Sequence, residues 1–141
     1  MSRAVLLDTG PLVALINPRD DMHLWATAEW SKITTPLLTC EAVISEACFL
    51  LRDVYRGKEG VMILIETGII QLPFQLSAAV SEVKTLLNRY QSVPMSLADA
   101  CLVRMSEQVP DGLVLTLDSD FTIYRRNTNQ AVPTIMPESN A

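Results

Sequence analysis

Histidine is almost missing from this 141-residue chain, His23 being the single one. A Ser-His-Asp triad or a Cys-His pair would have to be built on it, and no GxSxG elbow exists to present a serine nucleophile. Ribonuclease chemistry that passes protons between two histidines is excluded, and so is a zinc site of the HExxH kind. His23 has no catalytic partner nearby in the sequence, so packing or a surface position is expected of it. Cysteine is scarce and odd in number: Cys40, Cys48 and Cys101 show no CxxC spacing. That argues against a disulfide framework and a zinc site, and apolar neighbours mark all three as small core residues. The five glycines are scattered singly, which leaves no glycine-rich loop to cradle a phosphate.

Long apolar runs are also lacking. Arg, Asp, Glu, Asn or Pro interrupts every stretch that could cross a membrane. Met1-Ser2-Arg3 leads straight into a short apolar segment with no small-residue cleavage site after a long one, so a cytoplasmic location is expected. Repeats, low-complexity segments and Pro/Gly/Ser-rich linkers are absent. With 49% hydrophobic residues the chain can bury one sizeable core, and a single domain over residues 1–141 is expected, with 136–141 as a frayed tail. Positive charge is in deficit: 11 Lys and Arg against 16 Asp and Glu, a net charge of −5. A protein that holds nucleic acid by bulk electrostatics does not look like this. A polyanionic substrate would need something to neutralise local acid, and a divalent cation is the obvious candidate.

What remains for catalysis is carboxylate. Val5-Leu6-Leu7 is too short and too branched for a helix and ends in Asp8-Thr9-Gly10-Pro11, after which Leu12 to Ile16 can wind as a helix. This reads as a buried strand that presents Asp8 where strand gives way to helix, the edge at which open α/β sheets bind ligands. Asp8 could equally do no more than cap the helix. Leu113 to Leu117 is a second continuous apolar run, and it too ends in acid, at Asp118-Ser119-Asp120-Phe121.

Between these runs, strands are expected at Pro36–Thr39 and Ile69–Pro73 and a last edge strand at Val132–Ile135. Helices are expected over Met22–Ile33 (capped by Asp20 or Asp21), Glu41–Tyr55, Gly60–Thr67 (stopped by Gly68) and Gln75–Tyr90. Strands alternating with helices of this length imply a parallel sheet with right-handed crossovers and helices on both faces. On the 41–55 helix, Val43, Ala47, Leu50, Leu51 and Val54 form the apolar stripe, and Glu46 is expected beside it on the core side. There it needs a partner, an arginine or a metal. Ser96 with Asp99 three residues later fits a capping box at the start of a further helix. That places the Asp99 carboxylate at the positive end of a helix dipole, where it stays ionised.

Asp8, Glu46, Asp99 and Asp118 thus stand out. Crowded carboxylates repel one another unless a cation sits among them, and all-oxygen ligand sets select Mg²⁺ or Mn²⁺ over zinc or copper. Such a site hydrolyses phosphodiesters by activating water and neutralising charge in the transition state. Spacing alone does not show that the four converge.

These motifs, in this order and nearly over the whole chain, resemble the PIN-domain ribonucleases. They are Asp8-Thr9-Gly10 after a strand, Glu46 in Thr39-Cys40-Glu41-Ala42-Val43-Ile44-Ser45-Glu46, Asp99-Ala100 opening a helix, and Thr116-Leu117-Asp118-Ser119-Asp120-Phe121 closing a strand. The branch most similar is the VapC-type toxin of bacterial toxin–antitoxin pairs. The resemblance implies a three-layer α/β/α sandwich on a parallel sheet of about five strands. It implies a Mg²⁺- or Mn²⁺-dependent endoribonuclease that leaves a 5′-phosphate and a 3′-hydroxyl, a homodimer, and inhibition by a cognate antitoxin. It makes Asp8 and Asp99 the main metal ligands, with Glu46 and Asp118 completing the acidic pocket partly through waters. Thr9 and Thr116 would support the pocket by hydrogen bonds, and Asp120 is the alternative to Asp118. Ser96 is read as a cap. Arg52, Arg56, Lys58, Arg104, Arg125 and Arg126 are candidates to hold the RNA backbone, or form an ordinary solvated face. Apolar residues on the Leu12–Ile16 and Trp25–Trp30 helices would suit a dimer interface.

Three rival readings stay in view. Asp-Thr-Gly is also the signature of aspartic proteases, but those folds are all-β and this chain is at least half helical by pattern. A phosphoacceptor switch would use Asp8 with a lysine opposite, yet Lys32, Lys58 and Lys84 all sit on helices or turns. A PIN-like scaffold that binds without cutting would be expected to have lost one of these acids.

Overall fold

The computed structural model describes residues 3–138. Five short strands make one parallel sheet in the order β3-β2-β1-β4-β7. They are β1 (Val5–Leu7), β2 (Leu37–Leu38), β3 (Ile70–Gln71), β4 (Leu113–Leu115) and β7 (Thr134–Ile135), while β5 (Arg125–Arg126) and β6 (Gln130–Ala131) pair separately as a hairpin. Leu6 is the hub of the register, opposite Leu38 on one side and Val114 on the other. β1 and β4 are apolar throughout, as strands covered on both faces must be, and Leu6, Leu7, Val114 and Leu115 are buried. Six helices surround the sheet: α1 (Thr9–Ile16), α2 (His23–Ser31), α3 (Glu41–Leu50), α4 (Gly57–Glu66), α5 (Val80–Arg89) and α6 (Leu97–Gln108). The architecture is the expected α/β/α sandwich.

The strand order reverses between β1 and β4. In parallel sheets such a reversal opens a crevice at the carboxyl ends of the two strands, and those ends carry Asp8 and Asp118.

Several boundaries differ from expectation. The 41–55 helix ends at Leu50. The following turn folds so closely over α4 that a Cβ on Gly57 would meet the Leu51 carbonyl oxygen at 3.0 Å. The next helix accordingly opens at Gly57, three residues before the expected Gly60, and ends at Glu66. The 75–90 helix breaks at Ala79 into a 3₁₀ turn (Leu76–Ala78) and α5. Neither Asp20 nor Asp21 caps α2: the helix starts after Met22, while Asp20 Oδ1 accepts the Met22 amide in the turn before it (2.9 Å). No apolar run or turn motif marks the hairpin of β5 (Arg125–Arg126) and β6 (Gln130–Ala131), whose turn places Asn127 and Thr128 at φ 47° and 74°. Residues 136–138 carry no regular structure, and 139–141 of the expected frayed tail lie outside the described residues.

His23 has the packing role. Its Nδ1 lies 2.7 Å from the Ala14 carbonyl oxygen, so this nitrogen donates and ties α2 to α1. Of the apolar residues of α1, Leu12 and Ala14 are fully buried while Val13, Leu15 and Ile16 are partly exposed, and Trp25 and Trp30 pack partly buried on the core. On α2 it is Leu24 that projects, at 82% exposure. Among the described residues no helix is long and apolar enough to cross a membrane.

Candidate active site

Asp8 follows β1 directly. Its amide still donates to Leu115 O in the strand ladder (3.0 Å), while its side chain already caps α1. Oδ1 accepts the Thr9 amide at 2.7 Å, and Oδ2 accepts the Thr116 hydroxyl at 2.6 Å. Thr116 is itself fully buried and accepts the Asp118 amide at 2.9 Å. One hydroxyl thereby links the acid after β1 to the acid after β4. Gly10 allows the two strand ends this closeness, since a Cβ there would sit 3.3 Å from the Leu117 side chain. Thr9 supports Asp8 through its backbone, whereas its hydroxyl is buried without a hydrogen-bond partner.

Asp99 comes from the other side, at the third position of α6. The capping box is complete: Ser96 Oγ accepts the Asp99 amide at 3.0 Å, and Asp99 Oδ2 accepts the Ser96 amide at 3.1 Å. The Tyr124 hydroxyl donates to the same Oδ2 at 3.2 Å. Asp118 spends Oδ1 on the Asp120 amide (2.9 Å), capping the 3₁₀ turn Ser119–Thr122. Asp120 lies beside it in that turn.

Glu46 corrects an expectation. The buried stripe of α3 is Val43, Ile44, Ala47 and the following Leu51, rotated toward Ile44, so Leu50 is half exposed. Glu46 accordingly flanks the core and is exposed. It lines a cleft of about 720 Å³ whose walls also include Ser96 and the apolar side chains of Phe49, Phe74, Leu76 and Leu97. Glu41 lines it too, while Asp8, Asp99, Asp118 and Asp120 do not.

The electrostatics place these acids in one neighbourhood. Burial raises the Asp8 carboxyl from 3.8 to about 6 against the lowering effect of its two hydrogen bonds, and the charges of Asp99 and Asp118 raise it further. Burial also raises Asp99, with Asp118 adding to it. Glu46 is raised by partial burial and then by Asp99 and Asp118. Among the described residues the ion pairs are Lys32–Glu29, Arg52–Asp53, Arg56–Glu59 and Arg104 with Glu82 and Glu107. None involves Asp8, Glu46, Asp99, Asp118 or Asp120. Crowded, partly buried carboxylates without basic partners are a site that lacks positive charge.

Within the described residues, no group of three or more His, Cys, Asp or Glu side chains closes tightly enough to enclose a metal ion. The donors are all oxygen, and a hard cation that keeps several waters needs only one or two carboxylates directly. Asp8 and Asp99 suit a hydrated ion of that kind and do not suit zinc or copper.

The six basic candidates separate. Arg126 is a correction: it is buried at 8% exposure, and its guanidinium donates to the carbonyls of Ser106 (2.7 Å) and Pro110 (3.1 Å). It satisfies the open C-terminal end of α6 and is not free to hold a phosphate. Arg104 is shared between two glutamates. Arg125 bonds the carbonyls of Thr122, Ile123 and Tyr124. Arg56 forks onto Glu59, and Arg52 stacks 4.2 Å from the Phe49 ring centroid. Lys58, Arg52 and Arg56 are exposed. Sequence reasoning missed Tyr124, whose only sign was a tyrosine that must find a partner for its hydroxyl once buried.

No curated protein matches the sequence. Among solved structures the fold is similar to the crystal structure of Mycobacterium tuberculosis VapC20, described as a sarcin-ricin loop cleaving toxin. The TM-score is 0.77 at 18% identity, covering 85% of this chain and 94% of that one. The PIN domain family matches residues 5–127, a span that holds every acid of the site, and the chain belongs to that family.

Proposed function

We propose that this protein is an endoribonuclease that hydrolyses RNA phosphodiesters with Mg²⁺ or Mn²⁺, leaving a 5′-phosphate and a 3′-hydroxyl. We further propose that it is the VapC-type toxin of a toxin–antitoxin pair, a single-domain cytoplasmic homodimer silenced by its cognate antitoxin. The observation that carries the catalytic reading is the set of carboxylates around the ends of β1 and β4, with Asp8 only 5% exposed and no basic partner among the described residues. A divalent ion bound there would neutralise charge at the scissile phosphate and acidify the attacking water.

The chain's own residues prepare that chemistry. Asp8 is fixed by the Thr9 amide and the Thr116 hydroxyl, and Asp99 by the Ser96 amide and the Tyr124 hydroxyl. Each carboxylate is thus oriented before any ligand arrives, the condition for electrostatic catalysis. Glu46 and Asp118 would hold the ion's waters and orient the nucleophile, with Asp120 as the alternative to Asp118. Arg52, Arg56 and Lys58, which are exposed, would contact the RNA backbone, with Arg104 and Arg125 as secondary candidates.

Single-turnover cleavage of RNA tests the reading, run with Mg²⁺ or Mn²⁺, with EDTA, and with Asp8→Asn. Cleavage is expected only for the metal-loaded wild type. Cutting that persists in both EDTA and Asp8→Asn removes the mechanism.

A further inference from the structure

We propose that Tyr124 is a positioning residue for Asp99, an inference that rests on the nuclease reading above. The ring is fully buried and fixed edge-on between two others, Tyr90 at 5.1 Å and Phe121 at 5.2 Å between centroids. Its amide donates to Asp120 O at 3.1 Å, tying the residue to the turn that follows β4. A phenylalanine would fill this slot equally well. The hydroxyl is therefore what packing does not require, and it goes to Asp99.

The geometry at Asp99 gives that hydroxyl its use. Both donors, the Ser96 amide at 3.1 Å and the Tyr124 hydroxyl at 3.2 Å, meet Oδ2. Oδ1 accepts no hydrogen bond among the described residues. A carboxylate held by the Ser96 amide alone can still swing about its terminal torsion, which is broad for aspartate. A second donor on the same oxygen, mounted on an immobile ring, fixes the carboxylate plane and leaves Oδ1 free for a ligand. Tyr124 thus stands to Asp99 as Thr116 stands to Asp8. In both cases a buried hydroxyl from the β4 side of the sheet orients a carboxylate carried by another element.

Tyr90 supplies the control. It packs against the same ring, and its hydroxyl accepts the Arg125 amide at 2.8 Å without touching Asp99. Mn²⁺ is titrated into the metal-free protein without RNA, following the loss of the free-ion electron paramagnetic resonance signal. Tyr124→Phe is expected to weaken Mn²⁺ binding by about tenfold or more and to lower kcat in parallel, with KM for RNA within about twofold. Tyr90→Phe should lower Tm yet leave Mn²⁺ affinity within about twofold. Tyr124→p-aminophenylalanine, which returns a donor to the same ring, should restore Mn²⁺ affinity to within about threefold of wild type.

Wild-type Mn²⁺ affinity in Tyr124→Phe overturns the role, as does equal weakening by Tyr90→Phe or failure of the amino ring to rescue. A Tyr124→Phe chain that does not fold makes the hydroxyl a determinant of stability and also overturns it. A wild-type chain that binds no Mn²⁺ and cuts no RNA overturns the nuclease reading, and this role with it. Activity in the wild type beside an unaffected Tyr124→Phe overturns this role alone.

Discussion

Asp8 and Asp99, close enough for their charges to interact, are carried by opposite kinds of structure. Asp8 stands at the end of a central strand, 5% exposed, with two side-chain hydrogen bonds and, among the described residues, no basic partner. Asp99 stands in the first turn of α6, 8% exposed, closing a capping box at the end of the helix where the dipole is positive. Burial is nearly equal and the surroundings are not. Burial disfavours the ionised form of both, and both cap a helix; they differ in that Asp8 combines one cap bond with the buried Thr116 hydroxyl, whereas Asp99 closes a reciprocal box with Ser96.

Activity shows the largest effect. Asp8→Asn is expected to lower metal-dependent cleavage by about 10³-fold, the scale on which one preorganised electrostatic contact counts. The same substitution should stabilise the metal-free protein, and this is where the comparison is sharpest. A rise from 3.8 to about 6 disfavours the ionised form by about 3 kcal/mol at about 1.4 kcal/mol per pH unit. Asp8→Asn should therefore gain about 1–3 kcal/mol at neutral pH in chemical denaturation, the lower figure allowing for weaker hydrogen bonds to a neutral amide. A loss of stability would break the contrast.

The pH dependence follows with its sign. Between about 4 and 6 the folded Asp8 holds a proton that the unfolded chain has released, so the metal-free protein loses stability as pH rises through that window and gains it on acidification. Asp8→Asn should flatten that slope, and an unchanged slope would assign it to other groups. Asp99 should behave differently: Ser96→Ala, which removes half of the box, is expected to cost about 1 kcal/mol. Asp99→Asn should move stability by less than about 1 kcal/mol, relief of the buried charge offsetting the weakened cap, while lowering cleavage no more than Asp8→Asn does. Stabilisation as large as that of Asp8→Asn would erase the distinction. The smallest effect belongs to Thr116→Val, with cleavage down about tenfold and a higher Asp8 pKa, read by carbon NMR of the carboxyl.

How much of this was legible in the sequence depended on whether the signal was local. Val5–Leu7 and Leu113–Leu115 announce themselves by unbroken apolar runs, and the Ser96–Asp99 box by spacing alone. Gly68 closes α4 as expected. Glu46 flanks the stripe as its spacing suggests but is more exposed than expected, because Ile44, not Leu50, completes the buried stripe, and that choice is made by neighbours distant in the chain. Arg126 read as a surface cation for the same reason. Nothing adjacent to it shows that the end of α6 lies within reach of its guanidinium. The Tyr124–Asp99 contact joins residues 25 positions apart, and no periodicity encodes it.

The hairpin that sequence reading missed has a consequence for α6. At one end this twelve-residue helix is locked by its own serine and aspartate. At the other, Arg126 grips the Ser106 and Pro110 carbonyls, while Glu107 accepts the Asn127 amide at 2.6 Å. A rod clamped at both poles cannot pivot. The helix that carries Asp99 is thereby held at the end far from that acid as firmly as at the end beside it.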